Sequence, residues 1–251
     1  MVFRLDPGNV AEVRVVATRF GLPYAGARVV SILDPSGLQP ASLLGPAPPV
    51  ATPSSAVDFP ARVVTDEKGV AVLRLTAHDP GTPRTYLDGQ VYGIRPALEE
   101  TLVPAAAYPF NPWHFVSVLV FSSFAPEEPL TWEGSIRPIL ERYGNLYPVM
   151  KQLFDLTDYR SVSANRRLLL LALNLDPADP NSMPVTRDLS GAKRLALLRW
   201  LGDDPPLRGE PRPAKARVAT ASAADGTAAP AGEGSKALAA GRRLGLRRTA
   251  R

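Results

Sequence analysis

The sequence predicts an α+β protein in three parts: an antiparallel β-sandwich over residues 1–126, a small all-α region over 127–204 and a disordered tail over 205–251. The first half contains short strand-like segments separated by proline and glycine turns, with no helical pattern between them, which is typical of a sandwich. Near residue 126 the apolar spacing changes from every second residue to a period of about 3.6, which indicates helices.

The strands of the first part follow from alternating polarity. Val13 and Val15 fall on one face of the segment 10–18 and charged residues on the other, as in a half-buried strand. Other segments with strand composition are 27–33, 57–64, 70–76, 90–94 and 113–121. A tight turn at 65–69 predicts a hairpin of the two segments that flank it, and the whole pattern predicts an immunoglobulin-like sandwich.

Residues 34–56 interrupt this pattern with a stretch rich in proline, serine and alanine. A long loop between two strands accounts for the composition. The alternative is a binding loop, because loops on a rigid sandwich commonly recognise partners.

The helical part begins with a segment whose apolar residues recur at helical spacing. Ser135 is the expected cap of this helix, and Pro138 falls in its first turn, where proline is tolerated. A second helix is predicted over 165–173. It is apolar almost all round apart from two arginines, so we expect it to be buried.

A third helix is bounded clearly by its end signals. It follows the capping residue Ser190 and ends at Gly202, shortly before two prolines. On this helix Leu197, Leu198 and Leu201 are expected to face the core. Lys193 and Arg194 are expected to face water.

The tail carries the basic excess of the chain. Residues 207–251 contain ten basic and three acidic side chains, whereas residues 1–206 contain 19 basic and 21 acidic ones. The tail consists mainly of small residues, proline and arginine, which cannot bury enough apolar surface to fold. We therefore expect it to be disordered and dispensable for folding, and we expect any binding of nucleic acid to use the tail alone.

The helical part resembles the small c-type cytochrome domains that are fused to larger proteins. Those domains share a W-x-x-x-I-x-P-I-L/F-x-x-Y opening, an L/F-D-L-x-D-Y-x-x-V segment, a D-P-x-x-M-P loop and a last helix that ends in Trp-Leu or Trp-Ile. The matching residues are Trp132, Ile136, Pro138, Ile139, Leu140, Tyr143, Phe154–Val162, Asp179–Pro184, Leu189, Ser190, Trp200 and Leu201.

The haem-attachment motif of that family is missing. Gly144, Tyr147 and Pro148 stand where the two cysteines and the histidine of Cys-x-x-Cys-His would be. Met183 stands at the position of the distal methionine ligand, but a thioether alone does not hold haem iron. The resemblance therefore implies a cytochrome-like fold without haem or electron transfer, and we expect no cofactor.

Protein side chains are expected to fill the space that haem occupies in such domains. The large side chains available for this are Trp132, Leu146, Tyr147, Met150, Phe154, Leu169, Met183 and Trp200.

The chain lacks the residues that many active sites and metal centres use. It has no cysteine, which excludes disulfides, thiolate metal sites and cysteine nucleophiles, and it has only two histidines, His78 and His114. We interpret His78 and Asp79 as turn residues rather than a catalytic pair, and His114 as a strand residue. We therefore predict no catalytic residues.

Four aspartates raise the alternative of a calcium or acid–base site, but their spacing lacks the alternating oxygen ligands of a calcium loop. Helix caps and turns explain them, and we predict no metal site. These residues are Asp155, Asp158, Asp176 and Asp179.

One polar and aromatic cluster in the sandwich is a candidate for partner binding, because exposed tyrosine and arginine are favoured at interfaces. The alternative is an aromatic cluster in the sandwich core. The residues are Arg84, Tyr86, Asp88 and Tyr92.

The end of the tail is a second candidate, because a basic peptide with interspersed leucines docks on acidic or grooved partners. Its basic residues are Arg242, Arg243, Arg247 and Arg248.

These observations predict a non-catalytic accessory or protein-interaction protein, such as the partner of a redox or biosynthetic enzyme. The alternative is an enzyme or small-ligand binder with a site in the cleft between the sandwich and the helices. No secretory signal and no membrane-spanning stretch is visible, so we expect a cytoplasmic protein without membrane contact. The sequence leaves the partner and the oligomeric state open.

Overall fold

A computed structural model describes residues 2–35, 38, 49–84, 87–101 and 115–210. The chain is an α+β protein, and Met1–Arg212 form one compact unit. Two hydrophobic clusters lie within this unit, one among the strands and one among the helices. Within the ranges above, no helix is long and apolar enough to cross a bilayer.

The strands form two sheets and a small ribbon. In chain order they are β1 (Val2–Leu5), β2 (Val10–Val16), β3 (Thr18–Arg19), β4 (Leu22–Pro23), β5 (Arg28–Leu33), β6 (Val57–Asp58), β7 (Arg62–Val64), β8 (Val70–Ala77), β9 (Gln90–Leu98) and β10 (Val116–Val120). One sheet has the order β1-β10-β9-β5-β7, the other has the order β2-β8-β6, and β3 pairs with β4.

The inner faces of the two sheets share one core, to which β2 contributes Val13, β8 contributes Leu73 and β10 contributes Val118. This arrangement is the predicted β-sandwich. The orders β2-β8-β6 and β5-β9-β10 match the B-E-D and C-F-G orders of immunoglobulin-like sandwiches. The first strand, β1, lies beside the last strand, β10, rather than beside β2. Pairing is antiparallel except between β1 and β10, which run parallel.

The hairpin predicted around residues 65–69 is wrong. The segment 57–64 divides into β6, which pairs with β8, and β7, which pairs with β5 in the other sheet. Pro60 lies between the two pieces and has no N–H to donate to a sheet, which favours the crossing of the chain at that point. The long partner of β8 is instead β2.

The helical region begins with a single π-helical turn, Trp132–Ile136, and continues with α1 (Arg137–Leu146), α2 (Tyr159–Ala164), α3 (Arg166–Asn174) and α4 (Gly191–Gly202). A 3₁₀ turn at Pro148–Gln152 separates α1 from α2.

Side-chain caps define the ends of these helices. Ser190 accepts a hydrogen bond from the N–H of Lys193, which confirms the predicted cap of α4. The first helix, however, is capped by Thr131, which accepts from the N–H of Gly134. The predicted cap Ser135 is buried and instead accepts a hydrogen bond from the N–H of Glu127.

Two tryptophans form the centre of the helical core. The Trp132 and Trp200 rings lie 5.7 Å apart, and Tyr159 packs on both at 6.0 and 6.2 Å. Phe154 and Leu169 are buried in the same cluster, as expected.

The expectation that Leu146 and Met183 fill this core is wrong, because both are exposed, Met183 by 38%. The expectation that α3 is buried on all sides is also wrong. α3 buries Leu169 but leaves Leu168 and Leu171 in solvent, since only one of its faces packs on the helical core.

Residues 205–210, which the sequence assigns to the tail, contact the helical core. The carbonyl of Leu207 accepts hydrogen bonds from the Trp200 indole N–H at 2.7 Å and from the backbone N–H of Trp132 at 2.9 Å. The Glu133 N–H donates to the carbonyl of Arg208 at 3.0 Å. This short segment therefore supplies acceptors to donors that are buried, and it belongs with the helices.

Residues 211–251 lie outside the described part of the chain, so their predicted disorder stays a prediction.

Shortening the chain tests the role of this segment. A chain that ends at Pro206 loses two backbone carbonyls that together accept three hydrogen bonds from buried residues. We expect its free energy of unfolding to fall by roughly 2–4 kcal/mol. A chain that ends at Glu210 keeps these acceptors and is the matched control, with an expected loss below about 0.5 kcal/mol. Urea unfolding of both chains measures the difference. Equal stability of the two would show that the segment contributes nothing to the fold.

Candidate functional site

The predicted candidates Arg84 and Asp88 lie where the sandwich meets the helices. Arg84 Nε donates to the carbonyl of Gly89 at 2.8 Å, and its Nη2 donates to the carbonyl of Asp88 at 2.9 Å. The guanidinium thus closes the loop between β8 and β9 on itself. Arg84 shapes the loop, and Asp88 is the residue that the loop presents to the helices.

Asp88 forms a buried ion pair with α4. Its side chain is 3% exposed, and Lys193 Nζ lies 2.6 Å from its Oδ1 while the Lys193 side chain is 11% exposed. Arg142 of α1 is the second cation, with Nη1 at 3.7 Å from the same oxygen. Neither oxygen of Asp88 accepts a hydrogen bond from a described residue. The pair is held by charge between two side chains that are almost fully buried.

The expectation that Lys193 faces water is wrong. On α4, Lys193 precedes Leu197 and Trp200 by four and seven residues and therefore lies on the same buried face. Its ammonium also lies 5.7 Å from the centre of the Phe124 ring, at a distance where a cation is attracted to an aromatic face. Arg194, half-buried beside it, donates to the carbonyl of Leu173.

Around this pair the sandwich and the helices enclose a cleft of about 260 Å³. Its walls carry the charged groups of Asp88, Arg142 and Lys193 together with Ser122, Phe124 and Ile139. The cleft contains both signs of charge, and they lie against one another. Such mutual neutralisation favours a structural role over an activated acid or base.

Two further contacts join the sandwich to the helices. The Asp6 carboxylate accepts a hydrogen bond at 3.0 Å from the N–H of Gly191, the first residue of α4, where the helix dipole favours a negative charge. Arg4 donates to the carbonyl of Thr186 at 3.2 Å. The start of α4 is therefore fixed by Asp6, and its first turn is fixed by Asp88.

Tyr143, another residue of the cleft wall, is also engaged. Its hydroxyl donates to the carbonyl of Asp188 at 3.2 Å, and burial raises the pKa of Tyr143 above its ordinary value, with nearby carboxylates adding to the shift. The phenol therefore stays protonated at neutral pH and offers no basic oxygen.

Of the other predicted site residues, Tyr92 alone falls in the described part of the chain, and it does not join the cleft. Tyr92 is buried in the sandwich core, where its hydroxyl donates to the carbonyl of Pro53 at 2.8 Å and burial raises its pKa to about 12. This is the core alternative considered for the cluster. Tyr86 and the tail residues Arg242, Arg243, Arg247 and Arg248 lie outside the described residues, as does His114.

His78 and Asp79 point to different partners, as the turn interpretation requires. His78 Nε2 lies 2.6 Å from Asp58 Oδ2, and both side chains are exposed. Asp79 instead accepts from the N–H groups of Ser123 and Gly81, and the hydrogen bond from Ser123 is the main cause that lowers the pKa of the Asp79 carboxyl. Within the described ranges, no three histidine, aspartate or glutamate side chains are grouped to hold a metal ion.

An exposed aromatic residue forms the second candidate site, and sequence analysis missed it. β3 and β4 are joined by the two-residue turn Phe20-Gly21, in which both residues have positive φ, 52° and 79°. The Phe20 side chain at this tip is 99% exposed, and Leu22 beside it is 70% exposed. A type I′ turn of this kind favours Asn-Gly, so phenylalanine is an unusual occupant.

The base of this hairpin is firmly held. The Arg19 guanidinium lies 4.4 Å above the Tyr24 ring and donates to Glu100 Oε1 at 2.9 Å, while the Tyr24 hydroxyl donates to Glu100 Oε2 at 3.0 Å. The Tyr24 N–H donates to the carbonyl of Ala17 at 3.0 Å. A fixed base therefore presents a fully exposed ring. The signal in the sequence was the two-residue loop ending in glycine between short strand-like runs.

Comparisons with known proteins give little. No model of a known protein family matches the chain, and no curated protein matches it. Among solved structures, it is similar to WR4, an MSP family member of C. elegans, with 11% identity, a TM-score of 0.24, and 47% of this chain and 91% of that chain covered. It is also similar to the Pseudomonas aeruginosa CupB2 chaperone, with 13% identity, a TM-score of 0.27, and coverage of 49% and 52%. TM-scores this low do not establish a shared fold.

Removing one member of the buried ion pair tests its structural role. Lys193→Met leaves Asp88 buried with only the more distant Arg142, and we expect the free energy of unfolding to fall by roughly 3–5 kcal/mol. Adding Asp88→Asn removes the uncompensated charge and is expected to recover much of this loss. Chemical denaturation of the single and double variants measures both effects.

The exposed pair of Lys151 and Asp155, 3.8 Å apart, provides the control. Lys151→Met is expected to cost less than about 1 kcal/mol, because water already solvates both groups. A similar loss from the two lysine substitutions would mean that the Asp88 pair is not desolvated in solution.

Proposed function

We propose that this protein is a non-catalytic interaction protein that docks on a partner protein through the Phe20 hairpin. The observation that carries the proposal is the Phe20 side chain, fully exposed at a positive φ on a rigid two-residue turn. A bulky residue in the left-handed region costs roughly 1–2 kcal/mol relative to ordinary backbone. Because the ring is 99% exposed and packs on none of the described residues, these contacts offer no compensation for that cost.

A partner with an apolar pocket for a benzyl side chain is the chemistry that fits this tip. Burying an aromatic ring is among the larger single contributions at a protein interface. The type I′ turn and the contacts at the hairpin base fix the main chain that carries the ring, so binding has to order only the Phe20 side chain. An accessory role beside a redox or biosynthetic enzyme, in the cytoplasm, is the broader function we propose.

The cytochrome-like character of the helices, without haem, is part of the same proposal. Gly144, at the position of the first attachment cysteine, packs so closely that a β-carbon there would lie 2.7 Å from Cγ2 of Thr157. Tyr147, at the position of the second cysteine, stacks on Tyr143 with ring centres 6.5 Å apart. We also propose that the sandwich ends at residue 126 and that the helical domain begins at residue 127. The tail then begins after the segment 205–210, which contacts Trp200.

Phe20→Asn tests both the stability cost of the positive φ at the turn and the role of the ring in partner binding. Asparagine tolerates positive φ, so we expect the free energy of unfolding to rise by about 0.5–1 kcal/mol. The variant is also expected to lose partner binding, because the apolar ring is gone. Differential scanning calorimetry measures the first effect, and quantitative capture of partners from the native host by wild type and variant measures the second.

Leu195→Gln is the matched control for capture, since Leu195 is 60% exposed on the far side of α4 from the helical core. It is expected to retain every partner that the wild type captures. If Phe20→Asn captures the same proteins in the same amounts as the wild type, the hairpin is not the docking element.

The helical region is expected to take up no haem. The attachment residues are replaced, the chain has no histidine after position 114, and protein atoms occupy the space beside Gly144. After incubation with haem and gel filtration, the protein should show no Soret absorption. A band that persists through gel filtration and is lost in Met183→Ala would contradict this expectation.

A further inference from the structure

Among the described residues, no strand pairs with the outer side of β2 in the three-stranded sheet. β2 is the outermost strand of that sheet, because β1, which precedes it, pairs with β10 in the other sheet. β2 pairs with β8 along one side in a continuous register over all of Val10–Val16. It contains no proline and no bulge, which are two of the devices that commonly block an edge strand.

The hydrogen-bonding phase shows which backbone groups of β2 do not bond to β8. The Ala77 N–H donates to the carbonyl of Asn9, and the Ala17 N–H donates to the carbonyl of Gly69. In an antiparallel pair the bonded positions alternate, so the odd-numbered residues of β2 bond to β8. The even-numbered residues therefore direct their N–H and C=O groups away from the sheet, and these residues are Val10, Glu12, Arg14 and Val16.

The same four residues form an exposed face whose sequence is complementary to itself. All four side chains are exposed. If a second copy of β2 pairs antiparallel about Val13, then Glu12 of each copy lies opposite Arg14 of the other, and Val10 lies opposite Val16. Opposite charges in directly paired positions stabilise a sheet.

Hydrogen bonding selects the same register. Pairing about Val13 places even-numbered residues opposite even-numbered residues, so their outward N–H and C=O groups exchange bonds. The neighbouring registers of the same phase place Glu12 opposite its own copy or Arg14 opposite its own copy, which is repulsive. Both charge and backbone pairing thus favour one arrangement.

We propose that two copies of this chain associate through β2 as a two-fold symmetric dimer, in which the two three-stranded sheets join into one continuous sheet. Each residue of β2 then meets its counterpart reciprocally, as a two-fold interface requires. An extended segment of another protein would satisfy the same backbone groups, but β2 itself supplies both members of the charge pairing. The dimer does not depend on the Phe20 hairpin or on a partner.

Charge reversal tests the register. In sedimentation velocity over a concentration series of the full chain, the wild type is expected to form a reversible dimer. Glu12→Arg and Arg14→Glu each place like charges opposite one another and are expected to weaken the dimer by roughly tenfold or more in Kd. The double variant Glu12→Arg/Arg14→Glu restores opposite charges and is expected to dimerise like the wild type.

Mixing the two single variants provides a second test. Each is expected to be largely monomeric alone, but an equimolar mixture is expected to form heterodimers, because the introduced arginine then faces the introduced glutamate. Phe20→Asn is expected to dimerise as the wild type does, which separates this proposal from the docking function. Thermal unfolding of each variant shows that it is folded.

Two substitutions at Arg14 distinguish the contribution of the backbone to the dimer from that of the side chain. Arg14→Pro removes an outward N–H without affecting the bonds to β8, and it is expected to weaken the dimer more than Arg14→Ala.

A wild-type chain that stays monomeric up to roughly 1 mM would overturn the proposal. It would also be overturned by single charge reversals that leave Kd unchanged, or by slow amide exchange at Glu12 and Arg14 in a monomer, which would show that another segment covers the edge.

Discussion

The position of the helices on the sandwich depends on one buried carboxylate. Asp88 is the residue that the β8–β9 loop presents to the helices, and a buried carboxylate is costly unless a cation faces it. α4 must therefore turn Lys193 inward, and α1 must bring Arg142 close. The Asp6 carboxylate accepts a hydrogen bond from the N–H of the first residue of α4 and so fixes where that helix starts. With these contacts in place, the sandwich and the helices are positioned as one unit.

Local patterns in the sequence correctly predicted the elements whose structure depends on residues close together in the chain. Alternating polarity identified β2, and strand composition identified β8. The capping role of Ser190 was predicted from its place before an apolar helix. The failures involve partners far apart in the chain. Lys193 has the polarity of a surface residue, and only the distant Asp88 explains its burial. The segment 57–64 has the composition of one strand, but its two halves pair with different sheets.

The candidate site also shows that the sequence does not reveal contacts between residues far apart in the chain. Arg84 and Asp88 were chosen for their chemistry, and they do lie together, yet as parts of a structural contact rather than a binding surface. Tyr92 was chosen for the same reason and is a core residue. Phe20 carried no chemical signal in the sequence, because an isolated phenylalanine is usually buried. Its exposure and its positive φ become visible only in three dimensions, and local conflicts of this kind concentrate where a protein binds.

The contact between Trp132 and Trp200 has an optical consequence. Two indole rings 5.7 Å apart couple their electronic transitions, so the pair should give the folded helical region a distinct circular dichroism signal in the near ultraviolet. The Trp200 indole N–H is also bonded to the carbonyl of Leu207, and the emission wavelength of indole responds to the polarity around that group. The native chain therefore carries its own spectroscopic reporter of whether the segment after α4 is docked, and no added label is needed to follow it.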